Sequence, residues 1–245
     1  MNLKLQLTRA FFISLLCASA FGFIALLISD KKIIEFDNIV ISFIQGLESP
    51  TLTSIMKFFT FIGAGFPVVF LTLAIIFFLY KVLHHRRELI LFVWVVIGSA
   101  LLNWILKIIF HRARPTIHRI VDANGFSFPS GHSMAAFSLY GIVTFLLWRH
   151  VKSSFGRSIL ILVSAIMILA IGISRIYLGV HYPSDVLGGY LASCSWIAIS
   201  IWFFRCSWIA IPIWFFRCSW IAIPIWFFQR FQKRHNKRMI KQNSN

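Results

Sequence analysis

The amino-acid sequence predicts an all-α, polytopic membrane protein built as a bundle of six transmembrane helices. Three observations lead to this prediction. Hydrophobic residues make up 59% of the 245 residues and charged residues only 13%, which is far from the composition of a soluble domain. Apolar segments long enough to cross a bilayer recur along the chain. The basic residues gather in short loops between these segments, as the positive-inside rule describes for cytoplasmic loops.

Six apolar segments are the candidate spans. A helix rises about 1.5 Å per residue, so about 20 residues cross the hydrocarbon core. The first segment contains Ala18-Ser19-Ala20, which resembles a signal-peptidase site. Because the apolar run continues well past these residues, we expect an uncut first transmembrane helix. The six segments are residues 10–29, 58–80, 89–110, 132–148, 158–173 and 183–204.

The segment between the first two spans, residues 30–50, has a different pattern. Its apolar residues recur at helical spacing, which predicts an amphipathic helix lying at the outer membrane surface. An ordinary surface helix would show much the same pattern. Most of the acidic residues of the chain lie in this segment, namely Asp30, Glu35, Asp37 and Glu48.

The charge distribution predicts the topology. A formal net charge of +17 would also suit a nucleic-acid-binding protein, but clustering of the basic residues in loops favours a membrane protein without a nucleic-acid partner. Six spans place both termini on one side, and the basic loops make that side cytoplasmic. The remaining polar segments then lie at the extracytoplasmic face. Basic residues kept there against the rule indicate a functional site.

A tandem repeat of 12 residues occupies the C-terminal part of the chain. Its copies are residues 194–205, 206–217 and 218–229, and the first copy, CSWIAISIWFFR, completes the sixth span. The other two copies could together form a seventh helix, but Arg217 would then lie mid-bilayer at a cost of about 2.5–3.5 kcal/mol. We therefore expect a six-helix membrane domain over residues 1–205, an apolar repeat extension on the cytoplasmic side over 206–229, and a basic cytoplasmic tail over 230–245.

A segment with closely spaced polar residues precedes the sixth span. Pro183 ends any helix that arrives from the N-terminal side and suits the first turn of a new helix. His181 should therefore lie just before a helix and Asp185 within its first turn. At this spacing the carboxylate can reach one imidazole nitrogen, which fixes the tautomer and makes the other nitrogen a better nucleophile. Arg175 adds a planar, charged fork suited to phosphate oxygens.

Two earlier motifs add the other groups that a phosphate site needs. Lys107 and Arg114 follow the spacing Lys-x6-Arg-Pro at the end of the third span. Pro129-Ser130-Gly131-His132 precedes the fourth span, where a hydroxyl, backbone N–H groups and the helix dipole all favour an anion.

All three motifs, Lys-x6-Arg-Pro, Pro-Ser-Gly-His and Ser-Arg-x5-His-x3-Asp, are present and in order. In these residues the chain resembles the type 2 phosphatidic acid phosphatase superfamily, over about residues 89–191. The resemblance implies that His181 attacks phosphorus to give a phosphohistidine and that Asp185 orients it. His132 would protonate the leaving group and then activate water. The spacing alone allows the opposite roles for the two histidines, although Asp185 makes His181 the better nucleophile.

The resemblance also implies which residues bind the substrate phosphate: Lys107, Arg114, Ser130, Gly131 and Arg175. Arg112 and Arg119, which lie outside the motifs, could help to hold a diphosphate. We expect no metal and no other cofactor. The chain has only seven acidic residues, and its Lys and Arg groups can neutralise the charge that develops in phosphoryl transfer.

The function implied by the resemblance is an integral phosphatase of the bacterial cell membrane that acts on a lipid phosphate or diphosphate. Undecaprenyl diphosphate and phosphatidylglycerophosphate are the two substrates it suggests, and an outward-facing site favours the first. A lipid phosphotransferase could use the same phosphohistidine. A non-enzymatic transporter with a degenerate anion pocket would usually have lost a motif residue, and none is missing here.

Overall fold

The computed structural model describes residues 3–63, 65–82, 86–116 and 118–206. All regular secondary structure in these ranges is helical, which confirms the all-α class. The second and third repeat copies fall almost entirely outside the described residues, so the extension over 206–229 and the tail over 230–245 stay predictions. The helices are α1 (Leu3–Ser29), α2 (Ile34–Gln45), α3 (Pro50–Ile62), α4 (Gly65–Phe77), α5 (Arg86–Phe110), α6 (Gly131–Leu147), α7 (Ser154–Tyr177) and α8 (Pro183–Cys206), and a π-helical turn at Phe78–Val82 follows α4.

Four of the described helices, α1, α5, α7 and α8, are long and apolar enough to cross a membrane. The pair formed by α2 and α3, bent by 119°, would be a fifth crossing if it counts as one span. The apolar helices Gly65–Lys81 and Gly131–Leu147 are shorter. The structure thus has the apolar helices of a membrane protein, whereas the count of six spans stays a prediction.

The second expected span, residues 58–80, is not one continuous helix. The helix α3 ends at Ile62 with Gly63 as its C-terminal cap, and α4 starts at Gly65. Gly65 has a φ of +59°, a left-handed conformation that interrupts a right-handed helix. Pro67 follows in the first turn of α4, where its missing N–H group costs no helical hydrogen bond.

The helix α8 packs against α1, α5 and α7. A Cβ atom on Gly98 of α5 would lie 2.2 Å from the Trp196 ring, so only glycine allows this close approach. The Tyr190 hydroxyl donates a hydrogen bond of 2.7 Å to a backbone carbonyl of α7. The Ser195 hydroxyl donates one of 3.0 Å to Ser14 O in α1. These contacts hold α8, whose first turn carries Asp185, against its neighbouring helices.

The helix α2 lies within the segment that was expected to be amphipathic, and it packs on α7. One acidic residue of α2 is buried. Asp37 is only 1% exposed and lies one helical turn after the buried Ile33, so it belongs to the buried face rather than the polar one. Its burial depends on a cation from a distant loop, Arg112, whose Nη2 lies 2.8 Å from Asp37 Oδ2.

The chain divides into two compact units, Met1–Trp202 and Phe203–Asn245. The first unit contains every residue of the three motifs.

Candidate active site

The third motif forms a buried imidazole–carboxylate pair. The helix α7 ends at Tyr177, and a short turn leads into α8. Asp185 lies in the first turn of α8, and its Oδ2 is 3.3 Å from Nδ1 of His181, as the spacing predicts. Neither side chain is more than 2% exposed. The pair therefore sits in a site that excludes water, where its mutual orientation is well defined.

Gly179 allows the turn before His181 to pack against the loop of residues 111–130. Its φ is +72°, and a Cβ atom there would lie 1.8 Å from the carbonyl oxygen of His118. Next to this contact, the Ile120 N–H group donates a hydrogen bond of 3.1 Å to Leu178 O. The packing brings the first motif, at the start of the loop, to the third motif.

Arg114 faces the other nitrogen of the imidazole. Its Nη1 lies 3.1 Å from His181 Nε2 and donates to Val180 O at 2.9 Å. Its Nε and Nη2 donate to Gly125 O at 3.0 Å and Asn124 O at 2.9 Å. A guanidinium only donates hydrogen bonds, so Nε2 is the unprotonated nitrogen and Nδ1 carries the proton. The lone pair of Nε2 thus points toward a fixed cation.

Burial determines the charge of His181. Removal from water lowers its pKa to about 4, although the hydrogen bond and charge of Asp185 act in the opposite direction. The nearby charges of Arg175 and Arg114 act in the same direction as burial, and the pKa of about 4 is the net result of all these effects. The imidazole is therefore neutral at pH 7, which is the form that can act as a nucleophile.

The second motif forms the start of α6. Ser130 is the N-cap, and its side-chain oxygen accepts a hydrogen bond from the Ser133 N–H group. Gly131 is the first helical residue and His132 the second. The Ser130 N–H group donates to the backbone carbonyl of Asp185 at 3.0 Å. This bond joins the N-terminus of α6, a favourable place for an anion, to the imidazole–carboxylate pair.

The remaining cations come from α5 and α7. Lys107 Nζ, in the last turn of α5, donates to Phe126 O at 2.7 Å. Arg175 is 6% exposed, and its Nη1 donates to the hydroxyl of Thr60 in α3. The Nε of Arg175 has no hydrogen-bond partner among the described residues. A buried donor without a partner is costly, so an anion that accepts from it would bind favourably.

Electrostatic interactions connect the predicted site residues to one another. Lys107 interacts with Arg114, Asp185 and Arg175. His132 interacts with three of these cations and with His181. Together with the contacts of Ser130 and the position of Gly131, the structure brings all eight predicted site residues into one region.

Sequence reasoning missed several residues that contact the pair. The Ser127 hydroxyl donates to Asp185 Oδ2, and the Tyr182 N–H group donates to the same oxygen at 2.9 Å. Ser127 precedes the second motif and gives no local signal of this role. Arg112, considered above for diphosphate binding, instead contacts two carboxylates, those of Asp185 and Asp37. The sequence offered one clue to the role of Asp37, which is a charged residue of α2 one helical turn after the apolar Ile33.

A cavity of about 740 Å³ borders this region on the side of α2. Apolar residues of α2, such as Ile34 and Ile41, line it together with the basic residues Lys31, Arg112 and His118. Apolar walls with a few convergent polar groups are typical of ligand sites, and this mixture suits an amphiphile with an anionic headgroup.

The fold and the site define a class of protein, an all-helical membrane protein with a candidate anion site around a buried histidine. The profile of the PAP2 superfamily matches residues 88–209. Phosphatidylglycerophosphatase B of Bacillus subtilis (strain 168) is 34% identical over 149 residues, which cover 59% of this chain and 71% of that protein.

Undecaprenyl-diphosphatase BcrC of the same organism is 32% identical over 114 residues, which cover 44% of this chain and 52% of that protein. The crystal structure of a PAP2-type phosphatidylglycerolphosphate phosphatase from Bacillus subtilis superposes with a TM-score of 0.69 at 28% identity. That superposition covers 78% of this chain and 96% of the other. The chain belongs to the PAP2 superfamily and is a hydrolase of phosphoester bonds.

Proposed function

We propose that this enzyme removes the terminal phosphate of undecaprenyl diphosphate or phosphatidylglycerophosphate through a metal-independent phosphohistidine mechanism. The main supporting observation is the environment of His181. The protonated Nδ1 of His181 donates a hydrogen bond to Asp185, and Nε2 lies 3.1 Å from the guanidinium of Arg114. A neutral nucleophile and a cation therefore meet at the position that a phosphoryl group would occupy. Relatives named for each of the two substrates support the choice of substrate class.

In the first step, Arg114 transfers its hydrogen bond from His181 Nε2 to an oxygen of the bound phosphate, and the freed lone pair of Nε2 attacks phosphorus. An N–P bond forms as the P–O bond to the lipid leaving group breaks, and Asp185 stabilises the imidazolium through Nδ1–H. Arg114 and Arg175 neutralise the charge on the equatorial oxygens. Lys107 and the N-terminus of α6, with Ser130 and Gly131, complete the phosphate site.

His132 acts on the leaving group in this mechanism. It donates a proton to the departing oxygen, and the resulting neutral imidazole then takes a proton from water. The water oxygen attacks phosphorus, the N–P bond breaks, and phosphate and neutral His181 are released. Since His132 is one residue after Gly131 at the start of α6, one helix terminus positions both the phosphate and the acid.

The proposal includes an orientation in the membrane. Positive-inside placement of the basic loops puts both termini in the cytoplasm and the site at the extracytoplasmic face of the bacterial membrane. At that interface a lipid can present its phosphate headgroup to the site while its chains stay in the bilayer. This location favours undecaprenyl diphosphate over phosphatidylglycerophosphate.

The test is phosphate release by purified protein in detergent from both lipids, with and without EDTA. We expect release from one of them that survives EDTA, almost no release by His181→Ala, and an acid-labile, base-stable phosphoenzyme in the wild type. Near-wild-type turnover by His181→Ala would overturn the nucleophile, and loss in EDTA restored by Mg²⁺ would overturn the metal-free mechanism. Transfer of phosphate to an added alcohol in place of water would indicate a phosphotransferase.

A further inference from the structure

A second carboxylate is tied to the active-site carboxylate through a single guanidinium. Arg112 Nη1 donates to Asp185 Oδ1 at 2.7 Å, and Arg112 Nη2 donates to Asp37 Oδ2 at 2.8 Å. The side chains of the two aspartates are 0% and 1% exposed, and that of Arg112 is 13% exposed. Arg112 also lies over the ring of Tyr182, 4.1 Å from its centroid. The guanidinium is thus fixed by a carboxylate at each of its two Nη atoms and by the Tyr182 ring against its face.

Ser184 closes the network on the side of α8. Its N–H group donates to Asp37 Oδ1 at 2.9 Å, and its hydroxyl donates to Asp37 Oδ2 at 2.7 Å. The N–H groups of the first helical turn have no partner within their own helix, so Asp37 acts as a cap supplied by another helix. Because Ser184 directly precedes Asp185, Asp37 holds the backbone beneath Asp185, while Arg112 holds its side chain.

The network also balances charge. Two buried carboxylates so close together would repel each other strongly without a cation between them. Arg112 provides that cation at contact distance, while Lys107 and Arg114 act on Asp185 from farther away. His181 is neutral and compensates no charge. Together with the hydrogen bonds from the Ser127 hydroxyl and the Tyr182 N–H group, Arg112 lets Asp185 stay ionised and face Nδ1 of His181.

We propose that Asp37 and Arg112 are positioning residues of the phosphatase, which act through Asp185 to set the orientation and tautomer of His181. The inference rests on the proposed role of His181 as the nucleophile. It gives α2 a function in the reaction, since this helix supplies a carboxylate that orders the site without touching the substrate. Packing of α2 against α7 and the start of α8 then completes the set of groups that orient His181.

The test compares Asp37→Asn with Glu35→Gln, an exposed position on the same helix. Both changes remove one negative charge from α2, but only the first touches the network. We expect Asp37→Asn to lower kcat by about tenfold to a hundredfold, the range found for groups that orient metal-binding residues and that act in the same indirect way. The KM and the inhibition constant of inorganic phosphate should stay near wild type, because the phosphate site is intact. Glu35→Gln should match the wild type.

A kcat for Asp37→Asn equal to that of Glu35→Gln would overturn the inference. A lower kcat accompanied by a higher KM and a lower melting temperature would also overturn it, because it would indicate general disruption of the fold. If Asp37→Asn does not fold, Arg112→Gln and Arg112→Lys decide. A loss of kcat in the Gln variant that the Lys variant partly restores supports the inference, whereas equal kcat values overturn it. Assaying His181→Ala in parallel separates the two proposals, because its activity would overturn the nucleophile itself.

Discussion

At the residue scale, the two nitrogens of His181 have partners of opposite charge. Asp185 accepts from Nδ1, and Arg114 donates toward Nε2. Burial keeps the ring neutral between them. The neutral His181 is the proposed nucleophile, whereas the proposed role of the second histidine, His132, is proton transfer.

Thermal stability should depend on the protonation of His181. Its pKa is about 4 in the folded protein and 6.5 ordinarily, so between these values the unfolded chain binds a proton that the folded chain does not. Stability from this group is therefore complete above pH 6.5 and declines as the pH falls toward 4. Melting temperatures in detergent should fall more steeply over this range for the wild type than for His181→Gln.

Above pH 6.5 the melting temperatures of the wild type and of His181→Gln should change in parallel with pH, which is the internal control. If they also run parallel down to pH 4.5, His181 does not have the lowered pKa that its burial implies.

The proposed general acid gives a separate prediction. His132→Ala should slow hydrolysis of a substrate with a poor alcohol leaving group by about 10²–10⁴, the range for general acid catalysis. It should slow an activated aryl phosphate much less, because that leaving group needs no proton. The measurement is the ratio of kcat/KM for the two substrates.

His150→Ala, beyond the other end of α6, serves as the control and should leave that ratio unchanged. An equal loss on both substrates in His132→Ala would assign the proton to another group.

At the element scale, the position of the site depends on how the loop of residues 111–130 packs on the turn between α7 and α8. Gly179 is the contact point, and Arg114 is held from both sides, by carbonyls of the loop and by Val180 O of the turn. A shift of either element would separate Arg114 from His181.

Replacing Gly179 tests this packing. Gly179→Ala forces a Cβ atom against the backbone of His118 in addition to straining a left-handed residue. We expect lower thermal stability and a loss of activity of about 10²-fold, since a displacement near 1 Å is enough for that. Gly65→Ala, at the break between α3 and α4, is the matched control. The φ of Gly65 is +59°, but no atom lies within 4 Å of the added Cβ, so this variant should show only the strain of about 1–2 kcal/mol.

Equal effects of the two substitutions on melting temperature and activity would mean that the contact between loop and turn does not position the site.

At the scale of the whole molecule, the catalytic unit should be separable from the repeat. All motif residues lie in the unit Met1–Trp202, before most of the repeat. Deleting residues 206–229, which joins Arg205 to Arg230, should leave turnover within a few-fold of wild type. The assay is phosphate release by the purified deletion variant, with its melting temperature as the control for folding.

A well-folded deletion variant without activity would show that the repeat contributes to the site or to an oligomer. A C-terminal tag that is accessible from outside the cell on the intact chain would show instead that the two extra copies form a seventh span.

The sequence by itself determined those features that depend on short-range patterns. Composition and apolar segments identified a helical membrane protein. The three motifs identified the family. The contact between His181 and Asp185 was predictable because the two residues are one helical turn apart and Pro183 marks where that helix begins. The start of α6 at Ser130 was also predictable, because Ser130 and Gly131 directly precede an apolar segment of the chain.

Only the tertiary structure decided which distant residues complete the site. Arg112 and Asp37 are 75 residues apart and Asp37 and Ser184 are 147 apart, so no local pattern pairs them. The pattern of residues 30–50 does not reveal that Asp37 is buried, because a buried charge is tolerated only where the fold supplies its partners. The break after Gly63 likewise interrupts a segment whose apolar composition predicts one helix. Hydrophobicity specifies which segments are buried or embedded, whereas the position of each charge depends on contacts that form only when the helices pack.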